Sequence, residues 1–212
     1  MAKILEKRLI RQPDVFYYKV AAPLISQKAQ PGQFVIIRLH EKGERIPLSL
    51  ADINPQEGTI SLIVMAVGKT TAELARYRAG EEILDLCGPL GMPTHVDRVG
   101  KVVLVGGGFG VAPLYPVARA FKAAGNAVTV VMGARSKDLL IYEHEMQGVA
   151  DKVCITTDDG SRGEARGEQG QGDLAAEGVQ RTRPAVGRSG GDERRAPGYG
   201  RSRRIRGVRQ TH

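Results

Sequence analysis

A cluster of glycines lies between an apolar run and a helix-like segment, in the order Val105-Gly-Gly-Gly-Phe-Gly-Val-Ala-Pro113. Glycines at such a junction let the backbone turn tightly and approach a pyrophosphate, while the helix start offers unpaired N–H donors and a positive dipole. Pro113 suits the first turn of a helix because its missing N–H costs nothing there. The flanking strand and helix favour dinucleotide binding over a plain tight turn.

Basic residues follow the next predicted strand, in the segment Gly133-Ala-Arg-Ser-Lys137. No acidic residue stands alone at this strand end, so Arg135 could face a ribose or its 2′-phosphate. An ordinary basic loop explains the segment equally well, and both interpretations remain open at this stage.

Two polar segments in the first half of the chain could contact a second nucleotide. Arg45 could pair with a diphosphate and Ser49 could hydrogen-bond a flavin ring edge, although spacing alone favours a solvated arginine. The segment Gly68-Lys-Thr-Thr71 imitates the end of a P-loop, but Ile63 stands where that motif needs its first glycine. The segment could be a phosphate cradle at a strand-to-helix turn or a plain threonine helix cap.

Other residue types with catalytic potential do not form recognisable sites. Glu143-His-Glu145 is not a zinc motif, because Gly148 stands where the second histidine would fall. Cys87 and Cys154 make neither a disulfide framework nor a zinc site, and they fit a reducing cytoplasm. We therefore predict no metal site and no acid–base or nucleophilic catalytic residue.

The elements that carry these motifs divide into two kinds. Up to residue 98, short apolar runs alternate with turns, as in Phe16, Tyr18 and Val20, which predicts a small all-β antiparallel barrel. From residue 99 to 161, buried strands at 101–105, 127–132 and 152–157 alternate with helices at 112–124 and 138–146. This order predicts an α/β domain built on a parallel sheet.

The composition changes after residue 161. The chain has a net charge of +8, and residues 162–212 hold 12 of its 31 basic residues, all arginine, together with 11 of its 27 glycines. Large aliphatic residues are too few there to offset the entropy of ordering the backbone, which predicts a disordered Arg/Gly-rich tail. Because lysine disappears abruptly, we expect this tail to be a frameshifted translation.

A second hypothesis is that the Arg/Gly-rich tail binds nucleic acid on a cofactor-free scaffold, through its positive charge. Against it, the tail carries one aromatic residue, Tyr199, and no repeated Arg-Gly-Gly unit. The chain has no apolar run of about 18 residues, which predicts no transmembrane helix. Its first residues form no apolar signal core, which predicts a cytoplasmic protein.

The order and spacing of six motifs resemble those of the ferredoxin–NADP⁺ reductase superfamily. These motifs are Arg45-Ile-Pro-Leu-Ser49, Gly68-Lys-Thr-Thr71, Gly88-Pro-Leu-Gly91, Gly107-Gly-Phe-Gly-Val-Ala-Pro113, Gly133-Ala-Arg135 and Asp158-Asp-Gly-Ser161. Within the superfamily, residues 1–161 are most similar to the electron-transfer subunits of bacterial ferredoxin:NADP oxidoreductase (the sulfide dehydrogenase type) and of dihydroorotate dehydrogenase. The resemblance implies a Greek-key barrel that binds FAD, followed by an NAD(P)-binding domain.

The resemblance also assigns expected cofactor contacts. The residues that would line the flavin or hold its diphosphate are Arg45, Pro47, Leu48, Ser49, Gly68, Lys69, Thr70 and Thr71. Those that would hold or adjoin the nicotinamide nucleotide are Gly107, Gly108, Gly110, Pro113, Arg135, Asp158 and Asp159. A hydride would pass from NAD(P)H to flavin N5, and the cofactors carry that chemistry without an acid–base residue.

The family further implies an FAD-dependent oxidoreductase subunit that passes electrons between NAD(P)H and a ferredoxin or iron–sulfur partner, in a heterodimer with a larger catalytic subunit. Relatives continue with a four-cysteine [2Fe–2S] site, whereas no cysteine follows Cys154 here. We therefore expect the barrel to fold and the second domain to keep only three strands with one uncovered face. As given, the chain is then expected to bind NAD(P)H weakly and to have little or no activity.

Overall fold

The computed structural model describes residues 1–11 and 14–165, and these residues all fall in one compact unit. The first sheet consists of β1 (Ala2–Arg11), β2 (Val15–Ala21), β3 (Phe34–Arg38), β4 (Ile46–Asn54), β5 (Thr59–Met65), β6 (Glu82–Ile83) and β7 (Asp85–Leu90), with the short helices α1 (Pro23–Ser26) and α2 (Lys69–Leu74). The second sheet consists of β8 (Lys101–Gly107), β9 (Ala127–Ala134), β10 (Lys152–Thr157) and β11 (Glu164–Ala165), with the helices α3 (Leu114–Ala123) and α4 (Glu143–Val149).

The first sheet is the predicted antiparallel barrel, nearly closed, in the strand order β6-β1-β2-β5-β4-β3-β7. Strands β3, β4 and β5 follow one another as hairpins, and β2 lies beside β5, which is a Greek-key arrangement. The alternating side chains of these strands bury one face as a core. Its largest fully buried members include Ile4, Tyr18, Ile37, Leu50, Ile60, Leu62, Leu74 and Ile83.

The hydroxyl of Tyr18 is one polar group inside this core. It donates a hydrogen bond to the Leu74 carbonyl at 2.9 Å, and the residue is 1% exposed. Burial raises the pKa of the Tyr18 phenol, because the charged phenolate would lose its hydration. The hydrogen bond fastens α2 to the barrel.

The raised pKa of Tyr18 predicts a loss of stability in alkali. The phenol of an unfolded tyrosine has a pKa of about 10. The contribution of the neutral Tyr18 phenol to folding stability is therefore complete below that pH and is lost as the pH rises above it. Tyr18→Phe is expected to cost about 1 kcal/mol at neutral pH through the lost hydrogen bond. Urea unfolding between neutral and alkaline pH would show a shallower loss of stability in the variant, and identical slopes would contradict the assignment.

The second sheet is parallel, in the order β11-β10-β9-β8, and is covered by helices on one face. Both α3 and α4 pack on that face against Val128, Val130 and Met132, which are fully buried. On the opposite face Val105 is 72% exposed. Within residues 101–165, the structure therefore agrees with the expected α/β architecture.

Several elements differ from the sequence-based expectation. Strand β1 was not predicted, and β7 continues through Gly88-Pro89, although glycine and proline favour turns. Its pairing with β3 overrides the local turn preference of these residues. The helix expected at 138–146 is instead a 3₁₀ turn at Lys137–Leu139 followed by α4, because Tyr142 adopts a left-handed φ of 61° between them.

The sheet also extends beyond the expected third strand. Strand β11 pairs in parallel with β10, and the Arg162 N–H donates to Thr157 Oγ1 at 3.0 Å. Residues 162–165, which the sequence assigned to the tail, thus lie against the sheet. Residues 166–212 lie outside the described residues, so the predicted disorder, the frameshift and the nucleic-acid hypothesis stay predictions there.

Candidate functional site

Three of the four residues expected to line a flavin are exposed at the start of β4 or just before it. Pro47 and Ser49 lie on the outer face of β4 because successive side chains of a strand alternate between its two sides, and Arg45 is exposed immediately before the strand begins at Ile46. Leu48 points the other way and packs, partly buried, against the barrel core. Leu48 is therefore placed to support the surface from below, whereas the other three can contact a ligand directly.

This exposed face continues onto the neighbouring strands. The register pairs Pro47 with Ile36 of β3, and Ile36 in turn with Cys87 of β7. Directly opposed residues project to the same face of a sheet, so the exposed Cys87 belongs to the surface that carries Ser49. Sequence analysis considered Cys87 but did not place it on this surface, because only the pairing of β3 with both strands brings it there.

Arg45 is held in place while its guanidinium remains accessible. Its Nη1 lies 3.1 Å from Asp85 Oδ2, and Arg38 Nε lies 2.7 Å from the same oxygen. The Arg45 side chain is 54% exposed and that of Arg38 is 26% exposed. Since one carboxylate faces two guanidinium groups, the cluster keeps a positive charge that suits an anionic diphosphate.

The segment Gly68–Thr71 lies next to this cluster. Thr70 is buried and its hydroxyl donates to Glu44 Oε2 at 2.9 Å, which ties the start of α2 to the residue before Arg45. Thr71 Oγ1 accepts a hydrogen bond from the Gly68 N–H at 2.9 Å. The N-cap residue of α2 is thus Gly68 and not a threonine, and Thr71 bonds back to it from the third helical position. The phosphate-cradle role of Gly68 to Thr71 stays a prediction.

The glycine-rich loop leaves open space over its backbone. It follows β8 as a 3₁₀ turn at Gly108–Val111, and Pro113 then caps α3. A Cβ built on Gly108 or Gly110 would find no atom of the described residues within 4 Å, whereas one on Gly106 would lie 2.7 Å from Leu114 Cδ1. Gly106 therefore serves the packing of β8, while Gly108 and Gly110 keep room for a ligand.

The remaining predicted nucleotide residues lie at the carboxyl edge of the same sheet. Gly107 pairs with Gly133, two residues before Arg135. The Asp158 N–H donates to the Ala134 carbonyl at 3.0 Å and the Asp159 N–H to the Arg135 carbonyl at 3.1 Å. Ligands of open parallel sheets bind at this edge, and the structure brings Gly107, Arg135, Asp158 and Asp159 together there.

The carboxylate of Asp159 holds its loop in shape. It accepts hydrogen bonds from the Ser161 hydroxyl at 2.6 Å and from the Ser161 N–H at 2.9 Å. These bonds favour the ionised form and keep the pKa of Asp159 below its usual range. The Lys137 N–H in turn donates to Ser161 Oγ at 2.8 Å, so the loops after β9 and β10 form one hydrogen-bonded unit.

A cavity of about 560 Å³ lies apart from the predicted contacts. Its walls are Gln30, Pro31, Met92, Pro93, Thr94, His95, Val96 and Ala120. Within the described part of the chain, no group of three or more His, Cys, Asp or Glu side chains could hold a metal ion. No helix among residues 1–11 and 14–165 combines the length and apolarity needed to cross a membrane.

Comparison with known sequences identifies close similarity to oxidoreductases. Residues 104–180 match the family model of the oxidoreductase NAD-binding domain. The chain is 54% identical, over 150 residues, to a homolog of the dihydroorotate dehydrogenase B (NAD⁺) electron transfer subunit from Thermotoga maritima, covering 71% of this chain and 53% of that protein. It is 35% identical to the corresponding subunit from Fusobacterium nucleatum, covering 71% of this chain and 60% of that one.

Solved structures show the same arrangement. An NADH-dependent reduced ferredoxin–NADP oxidoreductase, studied for flavin-based electron bifurcation, superposes with a TM-score of 0.74 at 48% identity, covering 78% of this chain and 59% of its own. Phthalate dioxygenase reductase superposes with a TM-score of 0.63 at 19% identity, covering 75% of this chain and 51% of its own, which supports the fold. The chain thus spans about half to three fifths of the length of these relatives.

Proposed function

Because the chain belongs to the ferredoxin–NADP⁺ reductase superfamily, we propose that it is an FAD-containing subunit that passes electrons between NAD(P)H and a ferredoxin or other iron–sulfur acceptor. Its relatives are NAD-binding electron-transfer oxidoreductases, and that broad class applies to this chain. The observation that carries the finer proposal is that two exposed surfaces, each bearing residues predicted to contact a nucleotide, lie in one compact unit. One is the arginine-bearing face of the barrel, and the other is the open glycine loop.

In this proposal the barrel binds FAD. Arg45 would neutralise the diphosphate, and the backbone N–H groups of Lys69 to Thr71, at the start of α2, would donate to it from the adjacent segment. Ser49 offers a hydroxyl to the edge of the isoalloxazine ring, and Pro47 supplies a flat apolar contact. The exposed positions of Pro47 and Ser49 on one face of β4, and of Arg45 just before it, support these roles, as does the Thr70–Glu44 hydrogen bond that joins the two segments.

The parallel sheet binds the nicotinamide nucleotide. Its pyrophosphate lies over Gly107, Gly108 and Gly110, in the space that a side chain would otherwise fill. Arg135 faces the ribose or its phosphate, and the loop of Asp158 and Asp159 closes the edge beside it. When bound, the two cofactors supply the hydride and electron chemistry, and the protein aligns their rings and excludes water.

The acceptor and the partner belong to the same proposal. The names of the curated relatives describe an electron transfer subunit, which supports pairing with a larger catalytic subunit. The cytoplasmic location expected from the sequence stays a prediction. A [2Fe–2S] centre needs four ligands, usually thiolates, and the sequence contains two cysteines. Cys87 and Cys154 cannot supply that set, so no step through such a centre is assigned to this chain.

Flavin content and its reduction test the proposed function. The purified chain, supplied with FAD, is expected to retain it on gel filtration and to show flavin absorbance. Anaerobic NADH or NADPH, supplied at high concentration because binding is expected to be weak and activity low, is expected to bleach that absorbance slowly, and the faster of the two identifies the preferred nucleotide. A chain that neither retains FAD nor can be reconstituted with it would overturn the proposal.

A further inference from the structure

A β-bulge in β4 places one strand of the barrel in both hydrophobic cores. The pairing of β4 with β5 shifts register between Leu50 and Asp52, which leaves Ala51 as the extra residue. Bulges re-aim side chains, and here Leu50 and Ile53 are buried in the barrel core while Ala51, 1% exposed, belongs to the cluster beneath the parallel sheet. The bulge thus fixes β4 against the nucleotide-binding part.

Beside the bulge, Arg119 of α3 forms bonds to the same strand. Arg119 Nη2 lies 2.7 Å from Asp52 Oδ1 and donates to the Ile53 carbonyl at 3.0 Å. The Ile53 N–H donates to the same carboxylate oxygen at 2.8 Å, and the Arg119 guanidinium lies 5.4 Å from the Tyr115 ring. One guanidinium therefore bonds both a side chain and the backbone of β4.

These two elements are the ones that carry the proposed cofactor contacts. Strand β4 carries Pro47 and Ser49 a few residues before Asp52, and α3 begins directly after the glycine loop. Helices and strands are rigid over such short distances, so a bond between Asp52 and Arg119 constrains the flavin-bearing strand relative to the nucleotide-bearing helix. No sequence motif assigns a role to either residue.

We propose that Arg119 is a positioning residue, which fixes the separation and tilt of the two cofactor sites by clamping Asp52 and Ile53. The inference rests on the proposed function. Hydride transfer requires the reacting atoms to lie about 3–3.5 Å apart, and a misplacement of about 1 Å can cost about 100-fold in rate. Because Arg119 touches neither proposed cofactor surface, its loss affects the rate of transfer more than the binding of either cofactor.

Lys122 provides a matched control on the same helix. It pairs with Asp151, whose carboxylate also accepts the Val128 N–H at 2.7 Å. This ion pair is exposed to a similar degree but joins α3 to its own sheet, not to the barrel. Lys122→Gln therefore removes a cation and an ion pair from α3 without touching the clamp.

A distance measurement tests the clamp without any cofactor. The two cysteines of the chain lie in the two parts, Cys87 on β7 and Cys154 on β10. Spin labels on both, in the flavin-free chain, are expected to give a narrow distance distribution that broadens or shifts in Arg119→Gln and is restored in part in Arg119→Lys. Lys122→Gln is expected to match the unsubstituted chain, and a distribution insensitive to Arg119 would overturn the inference.

Rapid-mixing kinetics give the second readout. With FAD bound and NADH saturating, Arg119→Gln is expected to slow flavin reduction by about 10-fold or more, while the affinities for FAD and NADH change by less than about 2-fold. Equal slowing by Lys122→Gln, or unchanged kinetics in Arg119→Gln, would contradict the positioning role. An unsubstituted chain without flavin would instead overturn the proposed function, and the spin-label result would still decide whether the clamp exists.

Discussion

Replacing Gly110 by alanine is expected to weaken NAD(P)H binding by about 10- to 100-fold while leaving the fold intact. The added Cβ meets no atom of the described residues within 4 Å, and Gly110 does not use a left-handed φ. The folded chain therefore accepts the methyl group, whereas a pyrophosphate against the loop would collide with it. Overpacking of this kind costs about 1–3 kcal/mol, and a loss of binding free energy of this size weakens binding by roughly 10- to 100-fold.

The measurement is the NADH concentration that gives half of the maximal rate of flavin reduction in rapid mixing, taken up to high concentrations because binding is expected to be weak. Gly148→Ala is the matched control, since a Cβ there also enters open space but lies in α4. It is expected to raise stability by up to about 1 kcal/mol through helix propensity and to leave the titration unchanged. A Gly110→Ala chain that titrates like the unsubstituted one would exclude the loop from the nucleotide site.

Replacing Arg45 by alanine is expected to weaken FAD binding by about 10- to 100-fold. A hydrogen bond to a charged group contributes about 1.5–3 kcal/mol, and the Arg45 side chain is 54% exposed and free to make one. The thermal midpoint is expected to change little, because Asp85 keeps its shorter bond to Arg38 and exposed ion pairs contribute little stability.

Fluorescence titration of the flavin-free chain with FAD measures this effect. Lys19→Gln serves as the control, because Lys19 is also a barrel cation with a carboxylate partner, Glu57, but lies on β2. It removes the same charge and is expected to leave FAD affinity within about 2-fold, since a distant surface charge is largely screened by salt. If Lys19→Gln weakened FAD binding as much as Arg45→Ala, the effect would reflect the overall positive charge of the barrel and not a specific contact of Arg45.

Features that depend on residues adjacent in the chain were predictable from the sequence. The glycine loop between β8 and α3, the strand–helix alternation after residue 100 and the barrel strands before it were all expected and are all present. Each depends on a few consecutive residues. Glycine permits backbone conformations that other residues rarely adopt, and apolar residues recur with a period of two in strands and of about 3.6 in helices. Local preference does not determine the end of a strand where pairing with a neighbouring strand overrides it, as at Gly88-Pro89 in β7.

Only the tertiary structure decided how these parts meet. Cys87 joins the face of Ser49 because β3 pairs with both β4 and β7, and Arg119 reaches Asp52 because a bulge turns Ala51 into the second core. These contacts join residues far apart in the chain, and strand register depends on the packing of the whole sheet. The sequence thus predicted which groups would hold two nucleotides, while the register and the bulge determined which residues lie beside those groups and which contacts join strand β4 to helix α3.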